Sequence, residues 1–344
     1  MKTANKKVIA FVIPLGLVAY FCSICLLCSS IGRIDISFET VLKSFCNYIF
    51  NGNFNLNLLE YNTIINIRLP RILMSMLVGI SLSLSGCVYQ SVFNNELVSP
   101  DLLGVTSGSC VGAALAILFG LSGYFIIIGA FAFGLLAVVI ALLIPILIKS
   151  TSNVSLILSG IIVSAIFSSC LGLIKYLVDS LEKLETITFW IMGSFASVSM
   201  NDVLLTLPII LISSITLLIM SYRINIVSLG NVECTSLGIN FKRNRLVVIL
   251  CATLLTATST AICGTVSWIG LIIPHIAKLI VGNDSRKKMP LACILGIVIL
   301  PLIDTLCRTI SIAEIPISIV SAAFGAIVYL ILLMLKKRNI YDYT

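Results

Sequence analysis

The chain has 344 residues, of which 59% are hydrophobic and only 10% are charged. Soluble domains carry about 25% charged residues, so this composition excludes a water-soluble globular protein and indicates that lipid covers much of the surface. The net charge is +8, but the basic residues lie in short clusters between apolar runs. That pattern follows the positive-inside rule of membrane proteins and argues against a nucleic-acid partner.

Long apolar runs predict the membrane-spanning helices, because about 20 helical residues cross the hydrocarbon core. The first run, Val8–Gly32, has no small-residue cleavage motif after it, so we expect an uncleaved first helix rather than a signal peptide. Leu102–Ile148 has no charge over 47 residues, and its Gly120-Leu121-Ser122-Gly123 segment predicts a turn between two helices. Single spans are predicted at Ile72–Asn95, Ser150–Ile174, Val203–Tyr222, Met289–Leu306 and Ile315–Leu335.

The stretch Leu246–Val281 is long for one span and short for two. Basic clusters precede it (Lys242 to Arg245) and follow it (Arg286 to Lys288), and an even number of crossings must separate two cytoplasmic clusters. We therefore expect two shorter helices with a break near Gly270 and Pro274. The fold predicted is an all-α integral membrane protein of ten helices with both termini in the cytoplasm.

Three of the predicted connections between spans are long enough to matter for function. Two predicted outer segments, Asp35–Asn62 and Asp179–Asp202, are long enough to carry structure of their own. The largest predicted inner loop is Arg223–Arg245, where Gly230 and Gly238 bracket a short polar helical pattern. We expect one transmembrane domain over residues 1–344, with the first helix at 8–32, helices two to six at 64–222, the loop at 223–245 and helices seven to ten at 246–335.

Groups that could perform chemistry are scarce. The sequence has no G-x-x-x-x-G-K-[ST] phosphate loop, and His275 is its only histidine. The twelve cysteines lie mostly inside apolar runs, where cysteine behaves as a small hydrophobic residue, so we predict neither a metal site nor a cofactor. A secondary transporter is disfavoured because no carboxylate pair lies in mid-span, and a membrane enzyme because His275 has no neighbouring catalytic groups. The chain is therefore expected to be a transport subunit without enzymatic activity, powered by another subunit.

Two segments carry unusual local features. Arg68 and Arg71 open a span on the predicted outer side, against both the helix dipole and the positive-inside bias. Snorkelling at headgroup level could explain them, but an acidic partner arriving from outside explains them better. In the segment Trp268–His275, Gly270 and Pro274 predict a gate or hinge next to His275, although both residue types are common in membrane helices.

Together these segments resemble the family of iron-siderophore and cobalamin ABC permeases (the FecCD type). The matching motifs run in order from about residue 64 to 335: Arg68-Leu69-Pro70-Arg71, Gly79 to Gln90, Asn94 to Gly108, Phe189 to Ser194, Ser228-Leu229-Gly230 with Ser236-Leu237-Gly238, Gly270 to His275, Asp304 to Arg308, and Ala313 to Pro316. One departure is Asn94-Asn95-Glu96-Leu97, where the family has Asn-Pro-Leu. The loss of the proline puts the geometry of this inner turn in question.

The resemblance implies an importer of type II architecture in the bacterial cytoplasmic membrane. Its partners would be two ATP-binding subunits, a second permease subunit (a copy or a paralogue) and an extracytoplasmic binding protein. The family's docking arginines match Arg68, Arg71 and Arg308. Its ATPase contact corresponds to the loop Arg223–Arg245, with candidate coupling residues Leu229, Gly230, Glu233, Leu237 and Gly238. The ligand favoured is a ferric siderophore, with cobalamin and haem as alternatives.

Overall fold

The computed structural model describes residues 21–50, 52, 54–150 and 152–341, with side chains as far as residue 334. These residues form helices and contain no β-strand. The helices are α1 (Phe21–Ser30), α2 (Phe38–Phe50), α3 (Leu58–Asn62), α4 (Leu69–Val92), α5 (Val105–Leu118), α6 (Tyr124–Leu147), α7 (Asn153–Leu177), α8 (Leu181–Met192), α9 (Met200–Ile219), α10 (Ser221–Val227), α11 (Asn231–Ser236), α12 (Phe241–Cys263), α13 (Ile269–Val281), α14 (Ser285–Thr309) and α15 (Ile317–Tyr341). A π-helical turn, Thr63–Arg68, joins α3 to α4, and a 3₁₀ turn, Pro100–Leu103, precedes α5.

Seven of the described helices are long and apolar enough to cross a membrane: α3–α4 as one continuous helix, α6, α7, α9, α12, α14 and α15. Three shorter apolar helices, α1, α5 and α13, lie at the remaining predicted spans. Residues 8–20 of the predicted first span lie outside the described residues. The predicted turn at Gly120–Gly123 is confirmed, since α5 ends at Leu118 and α6 begins at Tyr124.

Helix α4 is the centre of the bundle. Almost all of its residues are buried, and it packs against α9, α12, α13 and α14. Its serines fit this interior because their hydroxyls donate to carbonyls one turn back, as Ser81 does to Leu77 and Ser85 to Ser81, both at 2.8 Å. Such bonds let polar side chains lie in the interior of the bundle without partners on other helices.

Glycine pairs fix the closest of these helix contacts. A Cβ atom on Gly79 would collide with the carbonyl of Gly296 on α14, and one on Gly86 with the carbonyl of Gly270 on α13. Small residues at membrane helix interfaces act in this way, because association depends on close van der Waals packing when lipid removes the hydrophobic driving force. Gly270 therefore serves helix packing.

The predicted break in Leu246–Val281 exists but lies earlier than expected. Helix α12 ends at Cys263, α13 begins at Ile269, and Gly270 and Pro274 lie within α13. The turn between them needs positive φ angles, which Gly264 (+70°) and Trp268 (+66°) supply. The position was mispredicted because Gly and Pro were both taken as breakers, whereas the glycine that ends α12 is Gly264.

Groups at this turn find hydrogen-bond partners at the end of α8, in the segment that follows α8, and in α15. The N–H of Ser194 donates to Cys263 O at 2.9 Å, and the hydroxyl of Thr265 donates to Ile191 O at 2.7 Å. The N–H of Ser267 donates to Ser321 Oγ at 3.2 Å. Irregular backbone at membrane depth is stable only when such partners exist within the protein.

Contacts between loops define the two ends of the bundle. At the end we call inner, Asn225 contacts Asp284, and a cavity is lined by both Lys149 and Lys242. At the end we call outer, Arg71 contacts Glu314. The two long outer segments carry helices as predicted, α2 and α3 in the first and α8 in the second.

Candidate functional sites at the two ends of the bundle

Arg71 lies at the outer end in a buried network of charges. Its side chain is 6% exposed and donates to both carboxylate oxygens of Asp304 at 2.8–3.0 Å, and its Nη1 donates to Glu314 at 2.9–3.0 Å. Asp304 is 2% exposed at its side chain, whereas Glu314 is 29% exposed. The planar guanidinium suits such a double carboxylate contact, which ties α4 to α14 and to the α14–α15 connection.

Arg68 and Arg308 are also buried, at 4% and 6% exposure. Arg68 donates to the carbonyls of Ser29 and Ile34, the latter at 2.7 Å, and thereby holds the segment after α1. Arg308 donates to the carbonyl of Cys28 and to Thr305 Oγ1, the latter at 3.2 Å. Arg68 and Arg308 thus both hold the C-terminal end of α1.

All three arginines have hydrogen-bond partners within the chain. Asp304 is 233 residues from Arg71 in the sequence, so no local pattern could show that they meet. Carboxylates within the chain compensate Arg71, and carbonyls accept from Arg68 and Arg308, although Nε of Arg308 is buried without an acceptor among the described residues. The electrostatic argument for an external partner is therefore removed at Arg71. Docking of a binding protein at Arg68, Arg71 and Arg308 stays a prediction that rests on the family resemblance.

The α4–α5 turn at the inner end shows what replaces the missing proline. Asn94 adopts a left-handed φ of +49°, which asparagine tolerates better than most residues, and Asn95 Oδ1 accepts the N–H of Leu97 at 2.9 Å. The turn directs Glu96 toward α13, where its carboxylate lies 3.2 Å from His275 Nδ1 and also pairs with Lys278. His275 is therefore not isolated, and Glu96 is a site residue that the sequence analysis missed.

The segment α10–α11 has the predicted two short helices. Gly230 (φ +116°) precedes α11 and Gly238 (φ +71°) follows it, and the N–H of Ile239 closes the end of α11 on Cys234 O at 2.9 Å. Three of its apolar side chains are exposed, Leu229 at 60%, Val232 at 76% and Leu237 at 58%, and Glu233 is exposed among them. Exposed leucines on the inner end, beyond the spans, form a surface suited to a protein partner.

Asn225 connects this segment to α14. Its amide nitrogen donates to Asp284 Oδ1 at 2.7 Å, and its amide oxygen accepts the N–H of Ser285 at 2.8 Å. The guanidinium of Arg286 pairs with Asp284 at 2.8 Å and lies 5.7 Å from the ring centre of Tyr222 on α10. We call this set, Tyr222, Asn225, Asp284, Ser285 and Arg286, the α10–α14 bracket.

Comparison with known proteins identifies the family. The model of the FecCD transport family matches residues 18–336. The chain belongs to the FecCD transport family. Its polytopic helical bundle is that of an ABC importer permease, as its named relatives are.

Individual relatives of the FecCD family match most of the chain. The "Molybdate import system permease protein MolB" of Haemophilus influenzae is 38% identical over 96% of this chain and 94% of its own length. The "Probable iron chelatin transport system permease protein" of Helicobacter pylori is 37% identical over 78% of this chain and 82% of its own length. A solved structure assigned to the metal-chelate type of ABC transporter, in an inward-facing conformation, matches with a TM-score of 0.83 and 36% identity over 94% of this chain and 98% of that one.

Membership of the FecCD family settles the general role. The chain is a multi-pass protein of the bacterial cytoplasmic membrane and works with an ATP-binding subunit and a substrate-binding protein. The relatives differ in the ligand for which they are named, so family membership alone leaves the cargo open.

Proposed function

We propose that this chain pairs with a second permease subunit, either a copy or a paralogue, to import an iron chelate of the ferric siderophore class. ATP hydrolysis on two separate subunits drives the import, and the ligand arrives on an extracytoplasmic binding protein. The ligand class is supported by the order and extent of the siderophore-permease motifs and by the iron chelatin relative.

The observation that carries the ATP-driven mechanism is the exposed α10–α11 segment. It presents Leu229, Glu233 and Leu237 at the inner end and is fixed to the bundle by the α10–α14 bracket. A permease without a nucleotide site needs such a surface to receive movement from its ATPase. Gly230 and Gly238 set its shape.

Movement received there has a direct path into the bundle. The bracket leads to the start of α14, which packs along α4, and α4 packs against α13. At the inner end of α13, His275 and Lys278 hold Glu96 of the α4–α5 turn. We propose that rearrangement around Gly270, Pro274 and His275 opens and closes the inner end, with Glu96 as the contact that breaks.

The proposed topology has ten spans with both termini inside. It counts the three shorter helices with the seven long ones. Helix α13 has 13 residues, about 20 Å at 1.5 Å each, which is short of the roughly 30 Å hydrocarbon core. A short span is tolerable here because the preceding turn is hydrogen-bonded within the protein.

Molybdate is the second candidate ligand, and one observation favours it. The molybdate permease of Haemophilus influenzae matches 96% of this chain, whereas the iron chelatin permease matches 78%. Hemin and cobalamin import, for which other relatives are named, are the remaining alternatives.

Transport in proteoliposomes tests the proposal. The permease is reconstituted with its cognate ATPase and binding protein, and uptake of radiolabelled ferric siderophores, hemin, cobalamin and molybdate is compared. We expect ATP-dependent uptake of a ferric siderophore, and no ATP hydrolysis by the permease alone. Uptake of molybdate in place of any iron chelate would contradict the ligand assignment but leave the importer class intact.

A further inference from the structure

A cavity of about 510 Å³ opens at the inner end between α6, α7 and α12. Its walls are mainly apolar and come from three membrane-spanning helices, with Leu142 and Pro145 on α6, Leu156 on α7 and Ile249 on α12. Ile146 and Leu246, at its mouth, are 69% and 47% exposed. The cavity is thus open toward the region that lipid occupies.

Three cationic side chains line the same cavity: Lys149, Lys242 and Arg245. No aspartate or glutamate occurs among the described residues that line it. The positive ends of two helices add to this charge, because α7 begins at Asn153 after a lining residue, Ser152, and α12 begins at another, Phe241. The polar end of the cavity is therefore strongly positive.

Arg245 gives the strongest indication of a ligand. Its Nε and Nη2 are buried and have no hydrogen-bond partner among the described residues. The faces of Phe93 and Phe241, with ring centres 5.9 and 5.5 Å from the guanidinium carbon, hold it by cation–π contact. Arg245 also lines the cavity, so an anion bound there lies beside a guanidinium that has few acceptors of its own.

We propose that this cavity binds an anionic phospholipid from the inner leaflet. The phosphate accepts hydrogen bonds from Arg245 and pairs with Lys242 and Lys149, while the acyl chains lie along the α6 and α12 walls. Basic pockets between membrane helices on the cytoplasmic side are suited to such headgroups. The apolar walls and the lateral opening favour a lipid over a free phosphate, which would gain nothing from them.

The position of the cavity links the lipid to coupling. Asn231, the first residue of α11, is also among its lining residues. A lipid bound there contacts the α10–α11 segment at Asn231 and stabilises it against the bundle. This role does not depend on which ligand is imported.

Native mass spectrometry of the permease–ATPase complex, taken from nanodiscs that contain phosphatidylcholine with increasing phosphatidylglycerol, tests the proposal. We expect selective retention of phosphatidylglycerol by the wild type. The affinity of the permease for phosphatidylglycerol should fall about fivefold for each cation removed. The double variant Lys242→Gln with Arg245→Gln should therefore bind this lipid about 25-fold more weakly. The matched control is Arg243→Gln, which removes the same charge from the same turn at an exposed position outside the cavity and should bind as the wild type does.

Single variants and soluble competitors distinguish a lipid site from a site for a soluble anion or for the ATPase. Lys149→Gln and Lys242→Gln alter exposed side chains, so their expected fivefold losses can be measured even if Arg245→Gln does not fold. Inorganic phosphate and glycerophosphoglycerol, which lack acyl chains, should not displace the lipid at millimolar concentration. Equal lipid retention in all variants would overturn the proposal. So would displacement by phosphate alone, which indicates a soluble anion site, or cross-linking of Lys242 to an ATPase carboxylate in place of lipid.

Discussion

At the residue scale, the buried network around Arg71 decides how the outer end is held. Asp304 is 1% exposed, and Arg71 compensates its negative charge by donating hydrogen bonds to both carboxylate oxygens. Removing one partner of a buried pair is costly because the other charge remains without its counter-ion, and such losses are about 3–5 kcal/mol. The network therefore makes the arginine a requirement for folding, whatever further role it has.

Arg71→Gln should lower the free energy of unfolding by about 3–5 kcal/mol and reduce the amount of folded permease in the membrane. Arg33→Gln removes an exposed charge from the same end and should have little effect. Arg71→Met with Asp304→Leu should recover part of the loss, because neither charge is then buried alone. Thermal unfolding in detergent measures all three. If Arg71→Gln is as stable as Arg33→Gln yet fails to bind the binding protein, the main role of Arg71 is docking and not stabilisation of the fold.

At the scale of elements, the proposed coupling depends on the α10–α14 bracket, which joins α10 to the start of α14. The pKa of Asp284 is lowered by hydrogen bonds from the side chain and N–H of Arg286 and from Asn225. A depressed carboxylate pKa stabilises the fold above the unfolded-state pKa, and the effect is lost only as pH falls through the lowered value. The bracket is thus fully charged at neutral and mildly acidic pH.

Asn225→Ala should separate ATP hydrolysis from transport, because it removes both hydrogen bonds that join α10 to the start of α14. A loss of about 1.4 kcal/mol of coupling free energy corresponds to about tenfold slower uptake. Asn283→Ala, an exposed amide two residues before Ser285, serves as the control. Uptake and ATPase activity are measured on the same reconstituted complex. If the ratio of uptake to ATP hydrolysis is the same in the two variants, movement reaches the bundle through other contacts.

The shape of α11 can be tested through Gly238, whose φ of +71° disfavours any residue with a Cβ atom. Gly238→Val should abolish uptake while leaving membrane insertion and binding-protein docking intact. Gly120 has the same conformation (φ +72°) in the outer α5–α6 turn, and neither glycine has an atom within 4 Å of an added Cβ. Gly120→Val therefore imposes the same backbone strain at the opposite end. Similar transport by both variants would show that strain alone, and not α11, matters.

Sequence patterns predicted the helices far better than the contacts between them. Runs of apolar residues located the spans, and Gly230 and Gly238 located α11, because these signals are local in the chain. The partners of Arg71 and Glu96 could not be predicted, since Asp304 and Lys278 lie 233 and 182 residues away from them. The break before α13 was predicted too late in the chain, because Gly270 was read as a helix breaker, whereas it lies within α13 and packs against α4.

At the scale of the whole molecule, the path of the chain through the membrane determines which surfaces meet which partner. The α10–α11 segment, the α10–α14 bracket and the cavity between α6, α7 and α12 all lie at the end we call inner, whereas the network around Arg71 lies at the end we call outer. This arrangement is consistent only if α12 and α13 together cross the membrane and return. The short α13 is the element on which that conclusion depends.

Epitope tags inserted in loops can test this topology in intact cells. Tags after Gly120, Asp179 and Ile312 should be reached by antibody from outside, and tags after Gly238 and Gly282 only after permeabilisation. The pair at Gly238 and Gly282 is decisive, because one crossing between them would place the tags on opposite sides, whereas two place them on the same side. The contact between Asn225 and Asp284 requires the same side, since it joins α10 to the α13–α14 loop at one end of the bundle. A tag after Gly282 that antibody reaches from outside, in a protein that still transports, would show that α12 and α13 do not form two spans.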